Sequence, residues 1–173
     1  MNFSLIIPCY NEEKNIPLLL NKYSKFLKSN KSELILVDNG SVDGTAKVLK
    51  NIKKKNVKKY FIKNNVGYGY GLKKGTMSAK GKVIIFSHAD LEVDPKDIIK
   101  AINIYKKQNI KNNQKLFIKG NRVNKLKNHW TISDIFFSYG LTFFSILLFR
   151  KFLFDIHGQP VLFDRKLLEE INY

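Results

Sequence analysis

Cysteine is almost absent from this chain of 173 residues, which contains only Cys9. A single cysteine cannot form an internal disulfide, and the residues after Met1 show neither a basic leader region nor a cleavage site. We therefore expect a protein that is not secreted or stapled by disulfides, and that works in the cytoplasm.

The uncharged segment of residues 135–149 is too short to cross a membrane. A membrane-spanning helix needs about 20 apolar residues, and this segment has 15 between Asp134 and Arg150. Three interpretations stay open: a buried core helix, an amphipathic helix in the membrane interface, or a surface that binds a partner.

Acidic residues are scarce, since 14 Asp and Glu face 31 Lys and Arg and the formal net charge is +17. This excess favours an anionic partner: nucleic acid, an anionic membrane surface or a small phosphorylated substrate. Lysine supplies nearly all of it, as an AT-rich codon supply would, so part of the excess carries no functional information. The sequence contains no nucleic-acid recognition motif, and we expect no specific nucleic-acid binding.

Short apolar runs alternate with segments of helical periodicity along the chain. Residues 3–8, 33–37 and 83–87 are predicted to be buried strands, with helices between them. Repeated strand and helix units of this kind are typical of a parallel sheet covered on both faces. The predicted fold class is α/β, a single domain with a mostly parallel central sheet and a ligand site beyond the carboxyl ends of its strands.

The glycine-rich stretch of residues 65–71 suggests a dinucleotide site, but its spacing is wrong. The pattern G-x-G-x-x-G fails in either register because Leu72 and Lys74 occupy the third-glycine positions, and no G-x-x-x-x-G-K-[ST] motif occurs. Two interpretations remain: a tight turn before a helix predicted over residues 73–79, or a loop that faces a phosphate-bearing ligand.

Polar residues follow three of the predicted strands and should meet at one edge of the sheet. Asp38 can accept hydrogen bonds from a nucleobase or a ribose, and Tyr10 can lie against a base. Asp90 and Glu92 offer hard oxygen ligands for Mg²⁺ or Mn²⁺, ions that can bridge a diphosphate. Each cluster alone is weak evidence, because Asp and Asn are ordinary turn residues, but their order along the chain is informative.

The succession of these motifs resembles glycosyltransferase family 2. The segments that carry the resemblance are SLIIPCYNEEKNI, ELILVDNGSVDGTA, NNVGYGYGLKKG, GKVIIFSHADLEVDP, IKGNR and DIHGQP, from about residue 3 to 165. They are most similar to the polyprenyl-phosphate branch, which includes dolichol-phosphate mannose synthase. The resemblance implies a GT-A fold and transfer of a sugar from a nucleoside-diphosphate donor, with inversion at the anomeric carbon.

The resemblance also implies a role for particular residues. It assigns residues 1–119 to nucleotide-sugar binding and residues 120–173 to the acceptor side of the same domain. The implied donor-binding residues are Pro8, Tyr10, Glu12, Val37, Asp38, Ala89 and Asp90; the implied metal ligands are Asp90, Glu92 and His88; and the implied catalytic residues are Asp90, Arg122 and Asp155. The expected cofactor is Mn²⁺ or Mg²⁺.

Two departures from the family pattern concern the chemistry of the site. His88 replaces the first aspartate of the metal-binding D-A-D motif, and Gly158-Gln159-Pro160 replaces a G-F-R segment that carries an arginine. An imidazole can ligate Mn²⁺, can donate a hydrogen bond to the diphosphate in place of a metal, or can be merely structural. The chain is also shorter than usual for this branch, so we expect a short or truncated member.

The sequence thus predicts an inverting glycosyltransferase with a nucleotide-sugar donor. Its acceptor is a polyprenyl phosphate at the inner face of the cell membrane or a soluble glycan; an anionic phosphate needs no general base, whereas a hydroxyl would need one, for which Asp155 is the candidate. The alternatives are a degenerate transferase-like module that only binds, and a protein that attracts nucleic acid by charge.

Overall fold

Six strands and seven helices make up the described part of the chain. The computed structural model describes residues 2–28, 31–112, 115–121, 131–151, 155 and 158–171. The strands are β1 (Phe3–Cys9), β2 (Ser32–Asn39), β3 (Val57–Ile62), β4 (Val83–Phe86), β5 (Phe117–Lys119) and β6 (Val161–Asp164). The helices are α1 (Asn15–Lys22), α2 (Ser24–Lys28), α3 (Thr45–Lys50), α4 (Tyr68–Ser78), α5 (Pro95–Asn112), α6 (Ile132–Phe149) and α7 (Lys166–Glu170).

The strands form one sheet in the order β3-β2-β1-β4-β6-β5. β1 pairs in parallel with β2 and with β4, and β2 pairs in parallel with β3, whereas β6 runs antiparallel to β4. Cys9 is in register with Asp38 at the carboxyl ends of β1 and β2. The predicted α/β class with a mostly parallel sheet is confirmed.

The two faces of the sheet bury separate apolar clusters. Leu5 and Leu36 point to the face covered by α1, α2, α3 and α5. Ile6 and Ile35 point to the opposite face, where α4 and α7 pack. Because both faces are covered, the central strands are apolar throughout instead of alternating.

Helix α4 begins earlier than the sequence predicts, inside the glycine-rich stretch. It starts at Tyr68, directly after Gly67 with a φ of 99°. Gly71 and Gly75 lie on the side of the helix that packs on the sheet: an added Cβ at Gly75 would be 2.3 Å from Ile6 Cγ2, and one at Gly71 would be 3.0 Å from Pro8 Cβ. The glycines have low helix propensity, but their lack of a side chain lets α4 approach β1 and β2 closely.

The chain divides into two compact units, the first of Met1–Ile118 with Pro160–Tyr173 and the second of Lys119–Gln159. β6 belongs to the first unit because it pairs with β4, from Val83 opposite Asp164 to Phe86 opposite Val161. Residues 161–164 therefore lie in the sheet of the first unit.

Helix α6, in the second unit, exposes large apolar side chains. The most exposed lie between 62% and 76% accessible and are Phe136, Phe137, Tyr139, Phe143, Phe144, Leu147, Leu148 and Phe149. The interpretation of residues 135–149 as a buried core helix is therefore wrong, and the membrane-interface and partner-surface interpretations remain. Of the helices within the described ranges, none is both long and apolar enough to cross a membrane.

Candidate functional site

A cavity of about 290 Å³ opens in the first unit at the carboxyl edge of the sheet. This position is where open α/β sheets bind ligands, and the volume is near the lower end of the range for small-molecule sites. The cavity is lined by Pro8, Cys9, Tyr10, Glu12, Asn39, Asn65, Gly67, Tyr68, His88, Ala89 and Asp90. The structure therefore brings together five of the seven predicted donor-binding residues, with His88 beside them.

Hydrogen bonds between the loops after β1 and β2 support the wall of the cavity that Tyr10 and Glu12 line. The Asn11 N–H donates to Ser41 Oγ at 3.0 Å, and the Val42 N–H donates to Asn11 Oδ1 at 2.9 Å. The Glu12 N–H donates to Thr45 Oγ1 at 2.7 Å. These reciprocal bonds hold the chain after β1 in a turn that requires a positive φ at Asn11, a residue type that tolerates it.

Val37 and Asp38, also predicted to contact the donor, lie behind this wall. The Val37 side chain is part of the apolar cluster beneath α4. Asp38 is buried, and its Oδ1 accepts a hydrogen bond from the Ser41 N–H at 3.0 Å. Neither belongs to the cavity lining formed by the described residues, whereas their neighbour Asn39 does.

Asn39 connects β2 to the start of helix α4. Its Nδ2 donates to Asn65 Oδ1 at 3.0 Å and to the Gly67 carbonyl at 3.1 Å. Asn65 Oδ1 also accepts a hydrogen bond from the Gly67 N–H at 2.9 Å. This network fixes the glycine-rich turn, so that Tyr68 begins α4 at the cavity.

His88, Ala89 and Asp90 enter the cavity from the end of β4. The His88 ring is stacked on the Tyr68 ring, with centroids 4.7 Å apart and planes inclined by 18°. Asp90 is exposed, and its Oδ1 accepts a hydrogen bond from the Glu92 N–H at 3.0 Å. Leu91 between them has a φ of 67°, and the exposed Glu92 is not part of the cavity lining in the described ranges.

Two of the three predicted metal ligands, His88 and Asp90, line the cavity. No group of three or more His, Cys, Asp or Glu side chains in the described ranges could bind a metal ion. Mg²⁺ in nucleotide sites is commonly held by one or two carboxylates together with substrate phosphates. Asp90 would be the carboxylate of such an arrangement, and the imidazole of His88 lines the same cavity.

Two other ionisable groups of the cavity have raised pKa values. Burial raises the pKa of the Cys9 thiol far above its usual range, and the carboxylates of Glu12 and Asp38 act in the same direction. The pKa of Tyr68 is also raised, by the partial desolvation of its ring at the cavity and by the charge of Asp90. A thiolate nucleophile at Cys9 is therefore excluded at neutral pH, and Tyr68 keeps its hydroxyl proton.

The remaining predicted residues lie elsewhere or outside the described ranges. Asp155 is a buried residue of the second unit, and its carbonyl accepts hydrogen bonds from Lys119 Nζ at 2.6 Å and from the Gly158 N–H at 2.7 Å. Gly158 packs so closely on the Gly120 carbonyl that a Cβ would be 2.0 Å from its oxygen. Arg122 lies outside the residues that the structure describes.

Five lining residues were not among the site residues predicted from the sequence: Cys9, Asn39, Asn65, Gly67 and Tyr68. Cys9 and Asn39 stand inside the motifs at the ends of β1 and β2, and the other three lie in the glycine-rich stretch. The sequence therefore indicated these segments but not their individual roles. It did not predict that α4 begins at Tyr68, and this early start is what turns the stretch towards β4.

Two curated relatives match somewhat more than half of the chain. It is 36% identical over 104 residues to undecaprenyl-phosphate 4-deoxy-4-formamido-L-arabinose transferase of Proteus mirabilis, a match to 57% of this chain and 32% of the relative. It is 34% identical over 115 residues to dolichyl-phosphate beta-glucosyltransferase of Dictyostelium discoideum, a match to 60% of this chain and 35% of the relative. The chain thus spans about a third of the length of these relatives.

The fold and the family extend over nearly the whole chain. Glucosyl-3-phosphoglycerate synthase from Mycobacterium tuberculosis, solved with Mn²⁺ and UDP-glucose, superimposes with a TM-score of 0.65 at 15% identity, over 96% of this chain and 57% of the synthase. The fold is that of the GT-A glycosyltransferases. The model of the family described as "Glycosyl transferase family 2" matches residues 4–171. The chain therefore belongs to glycosyl transferase family 2.

Proposed function

We propose that the chain transfers a sugar from a nucleoside-diphosphate sugar to a polyprenyl phosphate. The observation that carries the proposal is that Tyr10 and Glu12 after β1 and His88 and Asp90 after β4 line one cavity. An aromatic side chain with a polar neighbour suits a nucleoside. A carboxylate and an imidazole suit a diphosphate, with or without a metal.

Within this proposal the donor lies across the carboxyl edge of the sheet. Its base stacks on the exposed ring of Tyr10, and Glu12 accepts hydrogen bonds from its ribose. Glu12 is held in place because its Oε2 accepts a hydrogen bond from Asn15 Nδ2 at 2.6 Å. Val37 and Asp38 support this site from behind the cavity lining. Asp38 accepts a hydrogen bond from the Ser41 N–H, and this bond fixes the conformation of the loop after β2 beside the base.

The proposed reaction is a single displacement with inversion. An oxygen of the acceptor phosphate attacks the anomeric carbon, a new carbon–oxygen bond forms, and the bond from that carbon to the donor diphosphate breaks. The nucleoside diphosphate leaves with the electron pair. The attacking oxygen is already anionic, so no proton has to be removed; with a glycan hydroxyl as acceptor, Asp155 is the candidate base.

The negative charge that develops on the leaving diphosphate requires stabilisation. Asp90, with His88 and Glu92, would hold Mn²⁺ or Mg²⁺ there, and such an ion supplies Lewis-acid neutralisation of the phosphate oxygens. Arg122, by its match to the family's arginine, acts on the same charge from the protein side. Without a metal, an N–H of His88 would donate a hydrogen bond to a phosphate oxygen.

The choice of acceptor rests on two features. Both relatives are named as transferases of undecaprenyl phosphate or dolichyl phosphate. In the second unit, helix α6 exposes aromatic and aliphatic side chains and is followed by Arg150 and Lys151. An apolar helix with basic neighbours suits the interface of an anionic membrane, and we infer that the protein works peripherally at the inner face of the membrane that carries its acceptor.

The test begins with thermal unfolding in the presence of UDP-, GDP- and dTDP-sugars, with and without Mn²⁺. A bound donor stabilises the folded state by mass action, so one of these donors should raise the melting temperature. Tyr10→Ala should reduce that shift. The matched control is Tyr70→Ala, because Tyr70 is similarly exposed and lies outside the described cavity lining.

The second step measures transfer of the sugar to a short-chain polyprenyl phosphate by mass spectrometry. Formation of the glycosylated phosphate is the expected result. Stabilisation by a donor with no transfer to any acceptor would favour the alternative, a module that only binds nucleotide sugars. That alternative draws support from His88 in the D-A-D motif. No stabilisation by any donor would contradict both.

A further inference from the structure

We propose that Tyr68 is a positioning residue for His88: its ring holds the imidazole plane so that the edge of the imidazole faces the diphosphate of the bound donor. The inference rests on the proposed function, because it takes the ligand of the cavity to be a nucleoside diphosphate or its sugar. It adds a residue to the site that the family motifs of the sequence do not assign.

The first observation is the stacking of the two rings, at 4.7 Å between centroids and 18° between planes. Such an aromatic pair favours one relative orientation. The imidazole nitrogens lie in the ring plane, so Tyr68 covers one face of the ring and leaves both nitrogens accessible from the edge. Because His88 and Tyr68 line the same cavity as Asp90, a ligand there meets the imidazole without displacing the phenol.

The second observation is that hydrogen bonds fix Tyr68 both at its hydroxyl and next to its backbone. Its hydroxyl donates to the carbonyl of Ser87, the residue before His88, at 3.4 Å. Its backbone follows Gly67, whose carbonyl accepts a hydrogen bond from Asn39 at 3.1 Å. Tyr68 therefore connects the end of β2, through Asn39, to the end of β4.

The third observation is that the core of the first unit sets the position of helix α4. Gly75 packs on Ile6, and its Cα has no room for a side chain. The helix therefore cannot lie further from the sheet without opening a gap, and cannot carry a larger residue there. The side chain of Tyr68 is therefore attached to a rigid helix, as a positioning residue requires.

Tyr70 provides an internal control. Its side chain and that of Tyr68 are equally accessible, at 37%, and both residues are in the first turn of α4. Tyr70 faces Lys74, whose Nζ lies 5.4 Å from the ring centroid, and it is absent from the cavity lining of the described residues. A loss that followed any removal of a surface tyrosine from α4 would appear in both variants.

The experiment measures nucleotide binding by isothermal titration calorimetry in one Mn²⁺-containing buffer. UDP, GDP and dTDP are titrated into the wild-type protein, and the tightest is compared with its own monophosphate. Tyr68→Leu should weaken binding of the diphosphate by roughly two- to tenfold, as expected for the loss of one stacked pair, and leave the monophosphate unchanged. Tyr68→Phe, which keeps the ring, should restore the diphosphate affinity, and Tyr70→Leu should have no effect.

A double-mutant cycle tests whether Tyr68 acts through His88. In a His88→Ala background, Tyr68→Leu should cause no further loss of diphosphate affinity, because the ring that it positions is gone. Additive losses, equal losses for mono- and diphosphate, or no rescue by Tyr68→Phe would overturn the inference while leaving the proposed function intact. If the wild-type protein binds none of the three diphosphates, the proposed function fails and this inference fails with it.

Discussion

At the scale of single residues, the structure separates groups that line the cavity from groups that lie behind its lining. Tyr10, His88 and Asp90 line the cavity, whereas Asp38 is buried and hydrogen-bonded behind it. The sequence predicts donor contacts for both Asp38 and Asp90, the first at the nucleoside and the second also at the metal. Burial and hydrogen bonding distinguish them, and they predict different consequences of substitution.

Asp90→Asn should lower the rate of sugar transfer far more than the affinity for the nucleoside. The reason is that Asp90 is proposed to act on charge that develops only as the diphosphate leaves, and loss of one such stabiliser typically costs about 10²–10³-fold. Transfer assays with Mn²⁺ titrated against the variant measure this. Asp97→Asn, on the first turn of α5, is the control that should behave as wild type. Full, metal-stimulated activity of Asp90→Asn would remove Asp90 from the leaving-group site.

Arg122→Ala should lower transfer by a similar mechanism, and its effect should not add to that of Asp90→Asn. Both groups are proposed to act on the same charge, and residues that work as a unit show non-additive losses. The rate of sugar transfer by the double variant should therefore be only slightly lower than that of the less active single variant. A double variant whose loss in rate equals the product of the two single losses would separate their roles.

Glu33 is a buried carboxylate far from the proposed chemistry, and it should control the acid stability of the fold. Its Oε1 accepts hydrogen bonds from Ser4 Oγ and from the Lys80 N–H, both at 2.6 Å, and Lys58 Nζ lies 2.7 Å from Oε2. Burial alone would raise the pKa of Glu33, but these partners lower it below its ordinary value of 4.5.

Because the folded state lowers the pKa of Glu33, its contribution to stability is present above about pH 4.5 and is lost as the pH falls through the folded-state pKa. Glu33→Gln should destabilise the protein by about 1–3 kcal/mol at neutral pH. It should also flatten the acid limb of the plot of unfolding free energy against pH, which is the fall in stability as the pH is lowered. Urea unfolding from pH 7 to pH 3 measures both effects, with the exposed Glu169→Gln as control. An unchanged acid limb would show that Glu33 is not the responsible group.

At the scale of elements, helix α4 connects the core to the cavity. Its glycines are of two kinds: an added Cβ at Gly69 meets nothing within 4 Å, whereas one at Gly75 would be 2.3 Å from Ile6 Cγ2 and 3.2 Å from Val37 Cγ2. The first is an ordinary helical glycine, and the second is required by close packing.

Gly75→Ala should therefore destabilise the protein by about 1–3 kcal/mol, the usual cost of overpacking a core, and should weaken donor binding because α4 carries Tyr68. Gly69→Ala should instead stabilise it by about 0.5 kcal/mol through better helix propensity. Thermal and urea unfolding measure whether each substitution raises or lowers the free energy of unfolding. Equal effects of the two substitutions would contradict the close packing of α4 on β1.

At the scale of the whole molecule, the net charge of +17 and the exposed apolar helix α6 both support the proposed binding to an anionic membrane surface. The charge acts over about a Debye length and is screened by salt, whereas apolar insertion is not. Binding to an anionic membrane should therefore have a salt-sensitive part and a salt-resistant part.

Co-sedimentation with phosphatidylglycerol and phosphatidylcholine vesicles should show both parts, with partial release at high salt. The double variant Phe143→Ser with Leu147→Ser should lose the salt-resistant part, lowering partition at least about tenfold from the apolar area removed. Leu18→Ser, an exposed leucine of α1, is the control. No binding to any vesicle would leave α6 as a surface for another protein.

The sequence alone determined the class of fold, the edge of the sheet that carries the site and most of the cavity lining. Apolar runs with turn residues after them, as at residues 3–8 and 83–87, are local signals, and parallel pairing of these strands brings the following Tyr10 and Asp90 to the same edge of the sheet. The motif order then identified the family, because several short motifs in one order at this spacing are far more specific than any one of them.

Only the tertiary structure decided where helix α4 begins, that β6 pairs with β4, and that Tyr68 stacks on His88. Each depends on contacts between residues distant in sequence. Local propensity argues against a helix at Gly69 and Gly71, and close packing on Pro8 and Ile6 overrides it. The four residues of β6 carry too little pattern to be recognised before their partner strand is known.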